Sequence, residues 1–277
     1  MRRERVLIVT LLLCVCSTLA AHDLFLKLSD YFVPADADVR ITALNGTFTT
    51  SENPIARSRV ADLSLVGPRG RERLDTLQLA AAGTRTRITA RTGPEGTYLL
   101  GLSIRPSQIT LKGEQFNGYL REEGLPAVLE ARRKAGELGK GATERYAKHV
   151  KAIFQAGAAR SDGYATVLGY PVEIVPLRNP YELRAGDTLR VRLLVNGDPA
   201  PGIEVLAGGR TVAGAAIRSV TLHADARGEA AVVLRAAGTW YVKFISMTRV
   251  TEPQVDYVSQ WATLTFAVLR RAAGKGT

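Results

Sequence analysis

Leu189-Arg190-Val191-Arg192-Leu193-Leu194-Val195, followed at once by Asn196-Gly197-Asp198-Pro199, sets the class of fold. An apolar run ends in Asn, Gly, Asp and Pro, the residues that close a strand with a tight turn. Comparable runs occur at Val172 to Val175, Ile203 to Leu206, Ile217 to Leu222, Ala230 to Leu234, Trp240 to Ile245 and Ala262 to Leu269, with Asp225-Ala226-Arg227-Gly228 as a second turn cluster. Seven short strands over roughly 100 residues match an immunoglobulin-like or transthyretin-like sandwich, here placed at 164–270. Trp240 and Trp261 fall on the last of these strands and are expected to be core aromatics rather than a sugar platform.

Working outward, residues 22–111 carry the same signature. Leu24, Leu26 and Leu28 share one side of an extended segment, as do Val39, Ile41 and Ala43, and then Leu63 and Leu65. Thr84-Arg85-Thr86-Arg87-Ile88-Thr89 and Thr97-Tyr98-Leu99-Leu100-Gly101-Leu102 continue the series, punctuated by Gly67-Pro68, Gly83 and Gly93-Pro94-Glu95-Gly96. Period-two runs separated by Gly and Pro indicate a second antiparallel sandwich rather than βαβ units.

Between them, 112–160 reads as a helical insertion. Pro126 suits a first helical turn, and Gly139 and Gly141 suit a stop. Thr143 then opens a second expected helix, with Tyr146, Val150, Ile153 and Phe154 on one side and Arg145, Lys148 and Lys151 on the other. The expected architecture is mainly β: two antiparallel β-sandwich domains, a helical insertion between them, and a basic tail at 271–277.

The N-terminus speaks to compartment. Arg2, Arg3 and Arg5 precede an apolar core from Val6 to Leu13 and the small-residue end Ser17-Thr18-Leu19-Ala20-Ala21, the grammar of a secretory signal peptide over 1–20. Cleavage after Ala20 satisfies the small-residue rule better than cleavage after Ala21. The run is shorter than the ~20 residues a membrane span needs, and no later run replaces it, so no stable transmembrane segment is expected after processing. Cys14 and Cys16 follow Leu13 and Val15, a poor lipidation context, and both leave with the signal. The mature chain therefore has no disulfides and relies on an ordinary core.

The formal charge of +11 falls to +9 when three arginines and one glutamate are removed. In an exported chain without clustered basic and aromatic residues, this balance points away from nucleic acid and toward envelope glycan or anionic lipid. Enzyme signatures are missing: there is no Gly-x-Ser-x-Gly elbow, no mature cysteine nucleophile and no phosphate loop. Glu122, Glu123 and Glu130 read as a solvated helical face rather than a glycosidase pair. His22 is the sharpest candidate for chemistry, because imidazole, backbone nitrogen and α-amine at a mature terminus suit Ni, Co or Cu, and Asp23 can add an oxygen. His149 is the third candidate ligand, and His223 ends an expected strand before a turn. A copper-dependent polysaccharide oxygenase, which needs a terminal histidine plus a second one such as His149, is the enzymatic alternative.

Three segments carry a family resemblance: Ala21-His22-Asp23-Leu24-Phe25; Leu168-Gly169-Tyr170-Pro171-Val172-Glu173-Ile174-Val175-Pro176 with Asn179-Pro180-Tyr181 and Leu183-Arg184-Ala185-Gly186-Asp187; and Gln260-Trp261-Ala262-Thr263-Leu264-Thr265-Phe266. Glu144-Arg145-Tyr146-Ala147-Lys148 adds a fourth. The chain resembles an uncharacterised family of bacterial periplasmic proteins, a domain of unknown function often described as the periplasmic component of a cobalt or nickel transport system. The resemblance implies an exported, non-enzymatic protein linked to transition-metal uptake, with a metal-uptake permease or an outer-membrane receptor as partner. Members commonly carry Phe-Trp after His-Asp, where this chain has Leu24-Phe25-Leu26. The alternative that the residues leave open is a structural or interaction module of the envelope.

Overall fold

The computed structural model describes residues 23–271. The signal-peptide reading, His22 and nearly all of the basic tail lie outside the described residues. In chain order the first part comprises β1 (Asp23–Leu28), β2 (Phe32–Val33), β3 (Asp38–Gly46), β4 (Val60–Gly67), β5 (Gly70–Arg73), β6 (Leu79–Ala82), β7 (Arg85–Arg91) and β8 (Gly96–Leu111). Helices α1 (Gly113–Glu122) and α2 (Pro126–Lys134) follow. The remainder is β9 (Ala142–Ala156), β10 (Val172–Pro176), β11 (Thr188–Val195), β12 (Asp198–Pro199), β13 (Glu204–Thr211), β14 (Ala216–His223), β15 (Glu229–Val233), β16 (Gly238–Glu252) and β17 (Val255–Val268).

The chain is mainly β, as the alternating runs predict. A nine-stranded sheet runs β14-β13-β16-β17-β9-β8-β4-β5, with β2 added alongside β9. Apart from the short β2, which is parallel to β9, its two halves are built from antiparallel neighbours and meet along a parallel seam, where Tyr257 to Thr265 of β17 run beside Glu144 to Ala152 of β9. Two four-stranded sheets cover it, β1-β3-β7-β6 and β10-β11-β12 with β15 on β11.

The small sheets lie on opposite faces of the seam. Thr263 Oγ1 donates to the Leu24 carbonyl at 2.7 Å, and Thr265 Oγ1 donates to that of Leu26, so these threonines point toward β1. Alternation sends Ala262, Leu264 and Phe266 to the other face. On β9, Lys148 reaches Asn45 of β3, whereas Lys151 reaches Glu173 of β10. Strands β9 and β17 are therefore covered from both sides, and Leu24, Val150, Ile153, Val191, Trp240 and Leu264 belong to one continuous core.

That double burial corrects the expected second helix. Residues 142–156 form the strand β9, buried at every position from Ala147 to Ala156. A strand with two buried faces loses the apolar-polar alternation that marks a half-buried one, so period two disappears from its sequence. The helical insertion is confined to α1 and α2. Phe116, Tyr119, Leu120 and Leu125 pack them on Ile245, Tyr257 and Trp261, forming a separate apolar cluster at one end of the large sheet. Arg132 locks the pair by donating to the Asn117 side chain and to the carbonyls of Glu137 and Lys140.

Candidate functional site at the start of the first strand

Asp23, the first residue of β1, converges with Glu123 at the end of α1 and Lys243 on β16. The Lys243 ammonium donates to Asp23 Oδ2 at 2.5 Å and to Glu123 Oε2 at 2.8 Å. Gly124 makes the approach possible: its φ of +71° ends the helix, and a Cβ there would stand 2.3 Å from Glu204 Oε1. A cavity of about 120 Å³ opens beside the triad, lined in addition by Arg121, Glu122, Glu204 and Thr221. Asp23, Glu122, Glu123 and Glu204 thus set four carboxylates against Lys243 and Arg121, a locally acidic spot on a basic chain.

The electrostatics follow from burial. Burial, then the neighbouring Asp23 charge, raise the Glu123 carboxyl above its ordinary range despite the opposing pull of Lys243. Burial disfavours the Lys243 ammonium, but Asp23 and Glu123 together outweigh it and hold its pKa above the ordinary lysine range. The second oxygen of Asp23, Oδ1, is buried without a hydrogen-bond partner among the described residues. A carboxylate oxygen left so calls for a donor or a cation.

A second buried polar group lies between α1 and the seam. Glu144 Oε1 accepts from Tyr119 Oη at 3.0 Å and from Ser259 Oγ, and Trp261 Nε1 donates to Ser259 Oγ at 2.9 Å. Burial raises the Glu144 carboxyl in spite of those bonds. Nearby Lys148 donates to Asn45 Oδ1 at 2.9 Å, and its burial pulls its pKa from 10.5 to about 8. Below pH 8 the ammonium is charged in both folded and unfolded chains and weakens the fold. Between pH 8 and 10.5 the unfolded chain binds more protons, so stability rises with pH. We expect the folded state to gain about 2 kcal/mol from this group between pH 7.5 and 9.5. Urea titrations of wild type and Lys148→Met check this, since the gain should vanish in the variant.

Of the three expected metal ligands, two lie among the described residues, and each is engaged by other side chains. Asp23 is tied to Lys243, and His22 lies outside the described residues. His149 sits on β9, on the face opposite Lys148, rather than on a helix edge. Its Nδ1 is 2.9 Å from Ser103 Oγ and its Nε2 2.8 Å from Gln260 Oε1, and burial lowers its pKa, favouring the neutral ring. Both ring nitrogens are thus occupied. His223 is exposed on the edge strand β14, with Glu204 Oε2 at 3.8 Å from Nε2. Among the described residues no group of three His, Cys, Asp or Glu side chains is arranged to hold a metal.

Sequence reasoning placed Glu123 on a solvated helical face and did not single out Lys243. The available signal was Gly124, a helix stop directly after two glutamates. The stretch from Leu168 to Glu173 proves architectural. The Glu173 carboxylate accepts from the backbone amides of Leu168, Gly169 and Tyr170, at 2.8, 2.7 and 2.9 Å, and pairs with Lys151. Gly169, at φ +82°, supplies the left-handed turn that aims these amides at one side chain. Tyr170 Oη then donates to Asp62 Oδ2 at 2.6 Å, tying the turn to β4.

These features define a mainly β sandwich protein with a partly buried cluster of charges where β1 begins. The chain belongs to the family described as a domain of unknown function (DUF4198), whose model matches residues 19–248. No curated protein sequence matches it. Similar solved structures include trypsin-activated alpha-2-macroglobulin from Escherichia coli, at 10% identity over 91% of this chain and 16% of that one, with a TM-score of 0.23. The BSP domain of a biofilm associated protein gives 10% identity over 90% and 30%, with a TM-score of 0.20. A segment of two fibronectin type-III domains from chicken tenascin gives 13% over 87% and 97%, with a TM-score of 0.19. The chain thus spans less than a third of the first two, and likenesses this loose say nothing about function.

Proposed function

We propose that the protein is an exported accessory protein of the cell envelope that handles a divalent transition metal, nickel, cobalt or copper, at its mature N-terminus and carries out no catalysis itself. The observation that supports this reading is the state of Asp23: one carboxylate oxygen is held by Lys243 and the other is buried without a hydrogen-bond partner among the described residues, next to His22 in the sequence. A terminal amine, an imidazole and that oxygen make a compact donor set for a borderline cation. The surplus of carboxylates around the adjoining cavity favours positive charge. In this reading a metal-uptake permease or an outer-membrane receptor is the partner. The family's description names no metal, and the link to cobalt or nickel belongs to this proposal.

The test is calorimetric titration of the exported, processed protein, its N-terminus verified by mass, with Ni²⁺, Co²⁺ and Cu²⁺. We expect His22→Ala to weaken binding by at least about tenfold. Asp23→Asn, which keeps the size of the side chain, should weaken it less. Equal and weak binding by wild type and His22→Ala would sink the proposal.

A further inference from the structure

The outer face of the sheet β1-β3-β7-β6 carries an unusual concentration of one charge. Register places Lys27 opposite Thr42 and Thr42 opposite Arg87, while Arg40 lies opposite Thr89 and Asp38 opposite Arg91. Alternation puts Arg85, Arg87 and Arg91 on the same side of β7 as Arg40 on β3 and Lys27 on β1. Thr86, Ile88 and Ala90 point inward and are buried, while Arg40, Arg85, Arg87 and Arg91 are exposed. Asp38, paired with Arg91 at 3.2 Å, is the one carboxylate among the outward positions of β3 and β7. Arg40, Arg85 and Arg87 form no ion pair with any described carboxylate.

Like charges on neighbouring strands repel, so this arrangement weakens the sheet and gains nothing from internal packing. The crowding is felt inside the protein: Lys27 is held below its ordinary range by burial and then by the charges of Arg210 and Arg85. Along β7 alone, Arg85 to Arg91 span ~20 Å at the rise of an extended strand.

We infer that this face binds an extended acidic polysaccharide, its repeated anionic groups lying along the arginines of β7 with Arg40 flanking them. The row is too long for one small anion. A bilayer fits less well, because none of the large exposed apolar side chains, such as Leu77, Val212 and Val233, lies on β1, β3 or β7 to insert among lipids. Guanidinium groups suit carboxylate or sulfate chains, since each can donate two parallel hydrogen bonds to one group. The inference is independent of the metal reading, as neither Asp23 nor His22 takes part.

The experiment measures binding of the full processed chain to polygalacturonate over a range of salt, with free galacturonate and phosphatidylglycerol-containing vesicles as parallel probes. Polymer binding should be strong at low salt and fall steeply as salt rises, while the monosaccharide binds far more weakly. Arg85→Ser/Arg87→Ser should weaken polymer binding by about tenfold, and Arg85→Lys/Arg87→Lys should restore most of it. Arg178→Ser/Arg235→Ser removes the same net charge elsewhere and should leave binding within about twofold. Equal losses in the two serine pairs would reduce the effect to net charge and overturn the proposal. So would absence of polymer binding, monosaccharide binding as tight as the polymer's, or stronger binding to the vesicles. All the substituted arginines are exposed, and circular dichroism of each variant verifies that it folds.

Discussion

Glu173→Leu is expected to destabilise the protein by about 3–5 kcal/mol, the range found when one partner of a buried ion pair is removed. Side-chain exposures of 3% for Lys151 and 1% for Glu173 place both charges out of water's reach. Losing the carboxylate strands the ammonium with only the Thr166 carbonyl, at 3.1 Å. It also orphans the amides of Leu168, Gly169 and Tyr170. The reciprocal change is milder: in Lys151→Met the carboxylate keeps those three donors, so its charge remains partly compensated. Urea unfolding of both variants tests this asymmetry, and equal losses would mean that the amide cradle contributes little.

Trp240→Ala should cost a similar amount, about 3–5 kcal/mol, through a cavity the surrounding sheets cannot close. Trp240 is 1% exposed on β16, within the core that both halves of the large sheet share, and its Nε1 donates to the Ala236 carbonyl at 2.9 Å. The loss should appear as a lower urea midpoint with an unchanged slope. A near-neutral effect would show the indole to be a surface group. Trp261 is equally buried but lies in the smaller cluster beneath α1, stacked on Tyr119 with ring centroids 6.0 Å apart. Its replacement should loosen the helical pair, a different outcome from the same kind of substitution.

What could be read from the chain depended on how many faces of a strand are buried. Val39, Ile41 and Ala43 alternate with exposed partners on β3, and Thr86 and Ile88 do so on β7, so period two survives there. On β9 it does not. Tyr146, Val150, Ile153 and Phe154 happen to fall at helical spacing, and Lys148 and Lys151 imitate a solvated face. In the fold those lysines point to opposite sides of one strand, and each is buried against a partner from a distant segment: Asn45 and Glu173. No local pattern announces such partners. The same reason hid the site at β1: Asp23 stood out beside His22, but its ion-pair partner, Lys243, is 220 residues away in the chain.

The parallel seam has a bearing on the order in which this molecule can assemble. Strand β17 ends at Val268, yet it closes the large sheet against β9 and supplies the threonine hydroxyls that hold β1. Strand β1 is therefore secured in part by hydroxyls 239 residues further along the chain. Contacts that close loops this long are the slow ones in folding. A nascent chain cannot complete the seam on β9 or the threonine contacts to β1 until β17 has emerged, so loss of β17 would leave both halves unfinished rather than merely shortened.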